Sequence, residues 1–252
     1  MKKFIKAYWK TLAFFSLAGL VGGFLIGFDL LDSYPEEVRR QILEQGLDDA
    51  VMAALTAVQY MWYGVVLGAL GIVLGKKVGL WKDERSITKM PLMITFAVAM
   101  LGGVMLILPD LVCFGKYSQA ILDSYAAKPT LTYMLGAVIL GGVTEEVMLR
   151  LFMMSLAAFV LHKLFECGRE SVGNGVLVAA NIISALLFAA GHLPTTALLF
   201  GLTPMIVFRC FLLNGGFGLA FGWLYRRFGL RYAMIAHGGC HVVSKLIWLL
   251  FI

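Results

Sequence analysis

The sequence has few charged residues and few cysteines, and both shortages exclude classes of protein. Only 14% of its 252 residues are charged, whereas 60% are hydrophobic, compared with about 45–50% apolar residues in an average soluble domain. A soluble core of this length does not need so much apolar sequence. The four cysteines, none of which forms a CxxC pair, are Cys113, Cys167, Cys210 and Cys240. We therefore infer neither a disulfide framework nor a cysteine metal site.

The sequence also lacks internal repeats, low-complexity stretches and a flexible linker between domains. Several apolar runs exceed the roughly 18 residues that indicate a membrane span. These features predict one all-α, polytopic membrane domain over residues 1–252, with about seven or eight transmembrane helices around a buried polar cavity. Residues 1–130 form N-terminal helices, and residues 131–252 form the core helices that carry the polar cavity.

The apolar runs give approximate bounds for the spans. They cover residues 11–31, 50–75, 90–109, 131–165, 176–191, 195–213, 215–225 and 232–252. The run 131–165 would form a helix of roughly 52 Å, which exceeds a hydrocarbon core of about 30 Å. We therefore expect it to tilt strongly, to project into the cytoplasm or to break near Arg150. Asn214-Gly215-Gly216 is expected to be a helix break.

Basic residues cluster beside the apolar runs and indicate the orientation of the chain. The formal charge is +6, and clusters lie within residues 1–10, 76–89 (including Arg85) and 226–231. Short basic loops lie on the cytoplasmic side of a membrane. The acidic loop 32–49, part of which we expect to lie as a surface helix over 36–45, fits the opposite side. We predict a multi-pass protein of the cell membrane with a cytoplasmic N-terminus.

The partners implied by this composition are lipids of the bilayer. A basic protein can also bind nucleic acid, but no cluster here alternates with aromatic residues on a soluble face. We therefore predict no nucleic-acid partner.

Glu145, Glu146 and Arg150 lie within a predicted span, where ionisable groups are costly and mark functional sites. Glu146 and Arg150 are four residues apart with the acid first, which is the favoured order for an ion pair on a helix. Glu145 points about 100° away from Glu146 and has no local partner. A carboxylate of this kind in a poorly solvated place suits a general base. The alternative is that both acids lie at the headgroup level as ordinary surface charge.

His192 closes a largely apolar run and shares a helix face with Phe188. The phenyl ring can therefore pack on the imidazole and exclude water. Taken alone, His192 could equally be an interfacial histidine at a helix end before Leu193-Pro194. Arg209 also lies in an apolar run, where it is expected to snorkel or to pair with an acid; we assign it no chemical role.

His237 and His241 are four residues apart and so share one helix face, as in many metal sites. Gly238 and Gly239 lie between them and let another helix approach closely. Depth within the bilayer raises a conflict with the other motifs. A helix entering at residue 131 from outside puts Glu145 about 21 Å in, near the inner third, whereas a helix from 176 puts His192 about 24 Å from the inner side. An extra crossing, or a helix that begins outside the bilayer, would remove the conflict.

Three motifs occur in a recognisable order. Glu-Glu-x-x-x-Arg at 145–150, Phe-x-x-x-His at 188–192 and His-x-x-x-(polar) at 237–241 resemble the motifs of the CPBP family. This family contains the CAAX prenyl proteases and the bacteriocin-processing (Abi) intramembrane proteases. The segment 218–236 is also similar to the one that leads into the last motif. Each motif alone is weak, but all three in order make a fairly specific signal over about residues 131–244.

The resemblance implies an intramembrane endopeptidase that hydrolyses peptide bonds of membrane-embedded or lipidated substrates, with the core helices as its catalytic part. It implies that Glu145 activates water and that His192 assists. His237 and the residue four positions later would bind the oxyanion of the tetrahedral intermediate. Arg150 would be structural and would pair with Glu146.

The last motif departs from the family, which usually has Asn where this chain has His241. A neutral histidine still donates one hydrogen bond, so the oxyanion role survives. However, His192, His237, His241 and a glutamate also satisfy the ligand count of a catalytic zinc site. No cofactor is therefore certain, and a divalent metal such as zinc and a metal-independent glutamate mechanism both stay open.

Two functions other than proteolysis also stay open. The chain could be a non-proteolytic membrane scaffold or immunity protein of the same fold, in which His241 marks a degraded site. It could instead be an ion or proton transporter that uses the buried acids and histidines as a relay. Transport folds often contain inverted repeats, and we find no such symmetry in the sequence.

Overall fold

A computed structural model describes residues 2–82 and 87–252, and these contain helices but no β-strand. Within this described part of the chain, seven helices are long and apolar enough to cross a membrane, so the prediction of an all-α polytopic membrane protein is confirmed. We label them in chain order: α1 Lys2–Phe28, α2 Asp49–Lys77, α3 Lys89–Lys116, α4 Leu131–Phe165, α5 Asn174–Phe200, α6 Pro204–Phe228 and α7 Leu230–Phe251. Arg85 and Met1 of the predicted basic clusters lie outside the described residues.

The prediction of a helix break at Asn214-Gly215-Gly216 is wrong. Residues 204–228 form one continuous helix, which joins the span expected at 215–225 to most of the one expected at 195–213. Residues 195–200 of the latter instead continue α5, which ends at Phe200. The turn Phe211–Gly215 is π-helical, which means that its hydrogen bonds run from residue i to i+5. This wider turn accommodates the polar residue and the glycines without ending the helix.

The long apolar run 131–165 does not break near Arg150. It is one helix in which Leu140–Glu145 and Val147–Met154 are π-helical, flanked by α-helix at Leu131–Ile139 and Ser155–Phe165. π-Helical turns inside α-helices are frequent at functional sites. All of the polar motif 145–150 lies in or between these two wide segments.

The basic loops lie together at one end of the helix bundle. Arg226 Nη1 donates to Asn174 Oδ1 at 2.7 Å, and Lys82 Nζ donates to the carbonyl oxygens of Arg226 and Arg227 at 2.8 and 2.6 Å. These bonds join the α2–α3 connection, the start of α5 and the end of α6. The opposite end carries the helix Glu36–Glu44, which has no buried residue and confirms the predicted surface helix.

Glu166 fixes the connection between α4 and α5. Its Oε2 accepts hydrogen bonds from the Gly173 backbone N–H at 2.9 Å and from His162 Nδ1 at 2.9 Å. The bond from Gly173, with that from His162, lowers the pKa of the Glu166 carboxyl. The carboxylate is therefore held in its charged form at the loop where α4 ends.

A buried ion pair holds the opposite end of the bundle. Arg209 Nε and Nη2 donate to the two carboxylate oxygens of Asp110, each at 2.5 Å, and the Tyr125 hydroxyl donates to the same carboxylate at 2.9 Å. Burial raises the pKa of the Tyr125 hydroxyl. Of the two alternatives predicted for Arg209, snorkelling or pairing with an acid, the pairing is thus confirmed.

Glycines set the distance between the helices that surround the polar motifs. A Cβ on Gly142 of α4 would lie 3.0 Å from the Cα of Gly238 in α7, and a Cβ on Gly239 would lie 2.7 Å from the Cβ of Ala99 in α3. The prediction that Gly238 and Gly239 allow close helix approach is confirmed. Small residues serve this purpose in membrane bundles because they let backbones come together.

Gly23 provides a test of this packing. A Cβ there would lie 2.7 Å from the Thr56 carbonyl oxygen and 3.0 Å from the Ala57 Cα, and backbone atoms cannot turn aside as a side chain can. We expect Gly23→Ala to lower the free energy of unfolding by about 1–3 kcal/mol, the usual cost of overpacking. Thermal unfolding in detergent measures this. Gly175→Ala is the matched control, because nothing lies within 4 Å of that Cβ position; equal destabilisation by both changes would contradict the packing account.

Candidate active site

Glu146 lies at the centre of a buried charge cluster that joins α4 to α7. Its Oε1 is 3.0 Å from Arg150 Nη1 and 2.8 Å from His237 Nδ1, and the Glu146 and Arg150 side chains have no exposed surface. Since a carboxylate only accepts, His237 donates from Nδ1. The pairing of Glu146 with Arg150 expected from their spacing is present, and His237 is an additional partner.

Aromatic rings enclose Arg150 and His237 in this cluster. The Arg150 guanidinium carbon lies 4.5 Å from the centroid of the Phe188 ring and 5.4 Å from that of Phe221. The imidazole of His237 stacks on Phe221 with centroids 4.6 Å apart and an interplanar angle of 20°. The rings keep water from the ion pair and supply cation–π attraction. This enclosure fixes the position of His237.

Four of the predicted site residues line one cavity of about 80 Å³. They are Glu145, His192, His237 and His241. The wall is completed by apolar and polar neighbours, namely Leu106, Phe188, Asn214, Phe217, Phe221 and Cys240. Glu146 and Arg150 lie behind this cavity rather than in it, so the structure divides the six predicted residues into a lining group and a backing group.

Glu145 differs from Glu146 in its surroundings. Its side chain is 24% exposed, whereas that of Glu146 is 0% exposed, and its Oε2 lies 3.8 Å from His237 Nε2. The expectation that Glu145 has no partner on its own helix holds for the described residues, but the imidazole from α7 is within ion-pair distance. Of the two acids, Glu145 is therefore the one that has exposed surface and lines the cavity.

His192 ends the first part of α5, and its ring is fixed by a backbone contact. Its Nδ1 lies 2.8 Å from the Phe188 carbonyl oxygen, which can only accept, so Nδ1 carries a proton. In the neutral ring Nε2 is then the free acceptor. The Phe188 ring contacts the imidazole edge-on at 4.8 Å, which confirms the predicted packing of these two rings.

His241 stacks on His237 with centroids 5.1 Å apart and an interplanar angle of 26°. Gly141 makes room for both rings. A Cβ at Gly141 would lie 2.6 Å from His241 Nε2 and 3.1 Å from His237 Nε2. The Nδ1 atom of His241 is buried and has no hydrogen-bond partner among the described residues. The Nε2 atoms of the two histidines therefore approach the same point beside α4.

The conflict in depth between Glu145 and His192 disappears in the structure. Glu145 lies before the end of α4, at Phe165, and His192 lies after the start of α5, at Asn174. The two separations, counted in residues, are about equal. Because a short connection joins those two helix ends, both residues lie at one level. No extra crossing lies between them.

Sequence reasoning missed several groups around the cavity. Phe217 and Phe221 are ordinary apolar residues in sequence, and no local pattern marks them as partners of His237. Asn214 is polar within an apolar run, which is a signal of a site, but the glycines that follow it predict a helix break instead. The π-helical turn directs its helix so that Asn214 lines the cavity.

The described residues do not fit a zinc site. Within residues 2–82 and 87–252, no three His, Cys, Asp or Glu side chains are placed to hold one metal ion. A catalytic zinc needs three protein ligands. His237 uses Nδ1 for Glu146, so only its Nε2 remains, and the other cavity groups do not complete a ligand set with it.

Arg150 provides a test of the buried cluster. We expect Arg150→Met to lower the free energy of unfolding by about 3–5 kcal/mol, because Glu146 would then be a buried carboxylate without its cation. The double variant Glu146→Gln/Arg150→Met removes both charges and should be clearly more stable than the single variant. Unfolding in detergent, followed by circular dichroism, compares them. A double variant as unstable as Arg150→Met would contradict this account of the pair.

Residues 127–243 match the family model described as type II CAAX prenyl endopeptidase Rce1-like. No curated protein and no solved structure matches the chain. The matched segment contains all three motifs and every residue of the lining and backing groups, and it confirms the resemblance to the CPBP family. Residues 127–243, a little under half of the chain, are therefore similar to the Rce1-like family of type II CAAX prenyl endopeptidases.

Proposed function

We propose that this protein is an intramembrane endopeptidase that cleaves prenylated, membrane-bound peptide tails. The observation that supports this most directly is the shared cavity of Glu145, His192, His237 and His241 within the helix bundle. The matching family is described as a CAAX prenyl endopeptidase, and CAAX tails carry a lipid on the cysteine near their C-terminus. A site among membrane helices is suited to a substrate held at the bilayer.

Glu145 acts as the general base in this proposal. The cavity has room for a few water molecules, since each occupies about 30 Å³ in the liquid. Glu145 takes a proton from one water as its oxygen attacks the carbonyl carbon of the scissile bond. His192 accepts a second hydrogen bond from that water through Nε2, because its Nδ1 is already bonded to the Phe188 carbonyl. The two acceptors orient the water for attack.

His237 and His241 stabilise the negative charge that develops on the carbonyl oxygen. The Nδ1 of His237 is bonded to Glu146, so its donor toward the cavity is the Nε2 proton of the imidazolium form. That proton points into the cavity, opposite the Nδ1–Glu146 bond, and can be donated to the oxyanion. His241 adds a donor beside it. When the C–N bond breaks, Glu145 returns its proton to the leaving amine.

The backing group holds the oxyanion donor in place. Arg150 and Glu146 have no exposed surface, and Phe188 and Phe221 enclose Arg150. Fixed dipoles in a dry setting stabilise developing charge more than they would in water. Glu146 therefore acts on the reaction through His237, as a positioning residue, and Arg150 acts through Glu146.

We also propose that the N-terminus is cytoplasmic. Four basic or connecting segments lie at one end of the bundle: the described part of the N-terminal basic cluster, Lys82, the α4–α5 connection and the α6–α7 turn. Basic loops that gather at one end are the pattern of cytoplasmic loops. The chain then belongs to the cell membrane as a multi-pass protein, and the substrate reaches the cavity from the bilayer.

Glu145→Gln tests the mechanism. We expect this variant to lose at least about 10²–10⁴-fold in kcat, because the amide cannot accept the proton of water, with an unchanged unfolding temperature. Cleavage of a farnesylated CAAX peptide by purified protein in detergent measures the rate. Glu170→Gln is the matched control, because Glu170 is an exposed acid in the α4–α5 connection, and it should keep full activity.

Retained turnover in the Glu145→Gln variant would overturn the proposed base. A cellular phenotype that survives combined loss of Glu145 and His192 would instead favour the scaffold function. The scaffold function would also be favoured if the unaltered protein cleaved none of the lipidated peptides, leader peptides and membrane segments tried.

Metal removal tests the cofactor prediction. The side chains around the cavity do not form a three-ligand set, so we expect cleavage to continue after dialysis against a zinc chelator, at a rate within about twofold of the untreated protein. Metal analysis of the purified protein should find well below one zinc per chain. Loss of activity on chelation, with recovery when zinc alone is restored, would show that the mechanism needs a metal.

A further inference from the structure

Lys245 is a charged residue within a membrane span that the proposed mechanism does not use. It lies in α7, one helical turn beyond His241 and two turns beyond His237, and its side chain is partly buried. Ionisable residues inside spans are costly and mark functional sites. No carboxylate among the described residues lies within ion-pair distance of Lys245. Its positive charge is therefore open to an anionic ligand.

Two aromatic rings and one hydroxyl fix the position of this ammonium group. Lys245 Nζ lies 4.5 Å from the centroid of the Tyr133 ring and 5.4 Å from that of the Trp248 ring, which is within the range of cation–π attraction. The same Nζ donates to the Tyr133 hydroxyl at 3.3 Å. An ammonium has three donors and no acceptor, so the contacts of the described residues leave two N–H groups for an anion.

A network of contacts holds the rings around Lys245. Trp248 Nε1 donates to the Tyr125 carbonyl oxygen at 3.2 Å, and the two rings meet edge-on with centroids 5.3 Å apart. The Tyr125 hydroxyl in turn donates to Asp110, whose carboxylate accepts two hydrogen bonds from Arg209. The charge of Asp110 is thus matched by Arg209 and not by Lys245. The ammonium is held in place without being neutralised.

This network lies directly beside the catalytic cavity, toward the end of the bundle opposite the basic loops. In each of three helices, a residue of the network is four or five positions from a residue that lines the cavity, which corresponds to about one helical turn. The pairs, with the cavity residue first, are Leu106 and Asp110 in α3, Asn214 and Arg209 in α6, and His241 and Lys245 in α7.

The distance between the cavity and Lys245 fits a short peptide. An α-helix rises 1.5 Å per residue, so Lys245 lies about 6 Å beyond His241 and about 12 Å beyond His237 along α7. A CAAX tail has three residues after its lipidated cysteine, and three extended residues span at most about 10–11 Å. A tail whose cysteine carbonyl lies at the two histidines can therefore place its terminal carboxylate at Lys245.

We propose that Lys245 binds the C-terminal carboxylate of the substrate and so selects tails with three residues after the scissile bond. This inference rests on the proposed peptidase function. The tail extends from the oxyanion donors toward the end of the bundle opposite the basic loops, and its carboxylate accepts hydrogen bonds from the ammonium group. A carboxylate at this depth in the bilayer is costly unless a cation pairs with it. Lys245 is a substrate-binding residue and contacts no reacting atom.

Two substrates that differ only at the C-terminus test the proposal. Full-length protein in detergent cleaves a farnesylated CAAX peptide with a free carboxylate, or the same peptide as a C-terminal amide, and kcat/KM is measured for each. We expect the unaltered protein to prefer the acid by about tenfold to a hundredfold, the effect of a hydrogen bond to a charged group. Lys245→Met should lose this factor on the acid and change little on the amide. Lys245→Arg keeps the cation and should keep the preference.

Lys128→Met is the matched control, because it removes an exposed cation in the connection before α4, at the same end of the bundle. It should keep the preference for the acid. Equal cleavage of acid and amide by the unaltered protein would overturn the role of Lys245 while the peptidase function stands. Equal loss on both substrates in Lys245→Met would also overturn it and would make Lys245 an anchor in an interfacial aromatic belt.

Binding separates this inference from the proposed function, because it needs no turnover. Fluorescence anisotropy gives the dissociation constants of the labelled acid and amide peptides for the Glu145→Gln protein. We expect the acid to bind about tenfold to a hundredfold more tightly, and Lys245→Met in that background to abolish the difference. If the unaltered protein cleaves neither peptide, the peptidase function fails, and a preference for the acid in binding would still support the carboxylate site. Equal binding of the two peptides would overturn it.

Discussion

The rest of the structure depends on one carboxylate, that of Glu146, which forms an ion pair with Arg150 on its own helix and accepts a hydrogen bond from His237 on α7. Burying two opposite charges costs free energy that only good geometry recovers. The same carboxylate therefore joins two helices, fixes the ring of His237 and keeps Arg150 inside the bundle. Gly142 and Gly238 allow the helix approach on which this contact depends.

Two adjacent acids acquire different properties from their surroundings. Glu146 is enclosed and contacts Arg150 and His237 through its Oε1, whereas Glu145 opens onto a cavity with three histidines. Neighbouring residues on a helix point in different directions, so one element can hold both a structural ion pair and a reactive group. The histidine at position 241 fits the same arrangement, because its ring stacks on His237 and its Nε2 reaches toward Gly141.

Local patterns in the sequence predicted much of the fold and the site. Hydropathy indicated the membrane helices, the spacing of Glu146 and Arg150 indicated their pair, and Gly238 indicated close packing. Patterns of this kind carry no information on contacts between distant segments. The bond from His237 to Glu146 and the stacking on Phe221 therefore required the tertiary structure. The prediction of a helix break at Asn214 is wrong because the helix continues there through a wider, π-helical turn, despite the tendency of Asn-Gly-Gly to end a helix.

The wide turns of α4 make the length of this helix part of its chemistry. Two π-helical segments, Leu140–Glu145 and Val147–Met154, flank Glu146, and each accommodates more residues per turn than an α-helix. A single-residue deletion within them would let the backbone relax to ordinary α-helical spacing and would rotate everything that follows. Apolar stretches usually tolerate exchange of one aliphatic residue for another. Here exchange at the aliphatic positions should be tolerated whereas deletion of one residue should not, so homologous chains should vary at those positions and keep the same residue number.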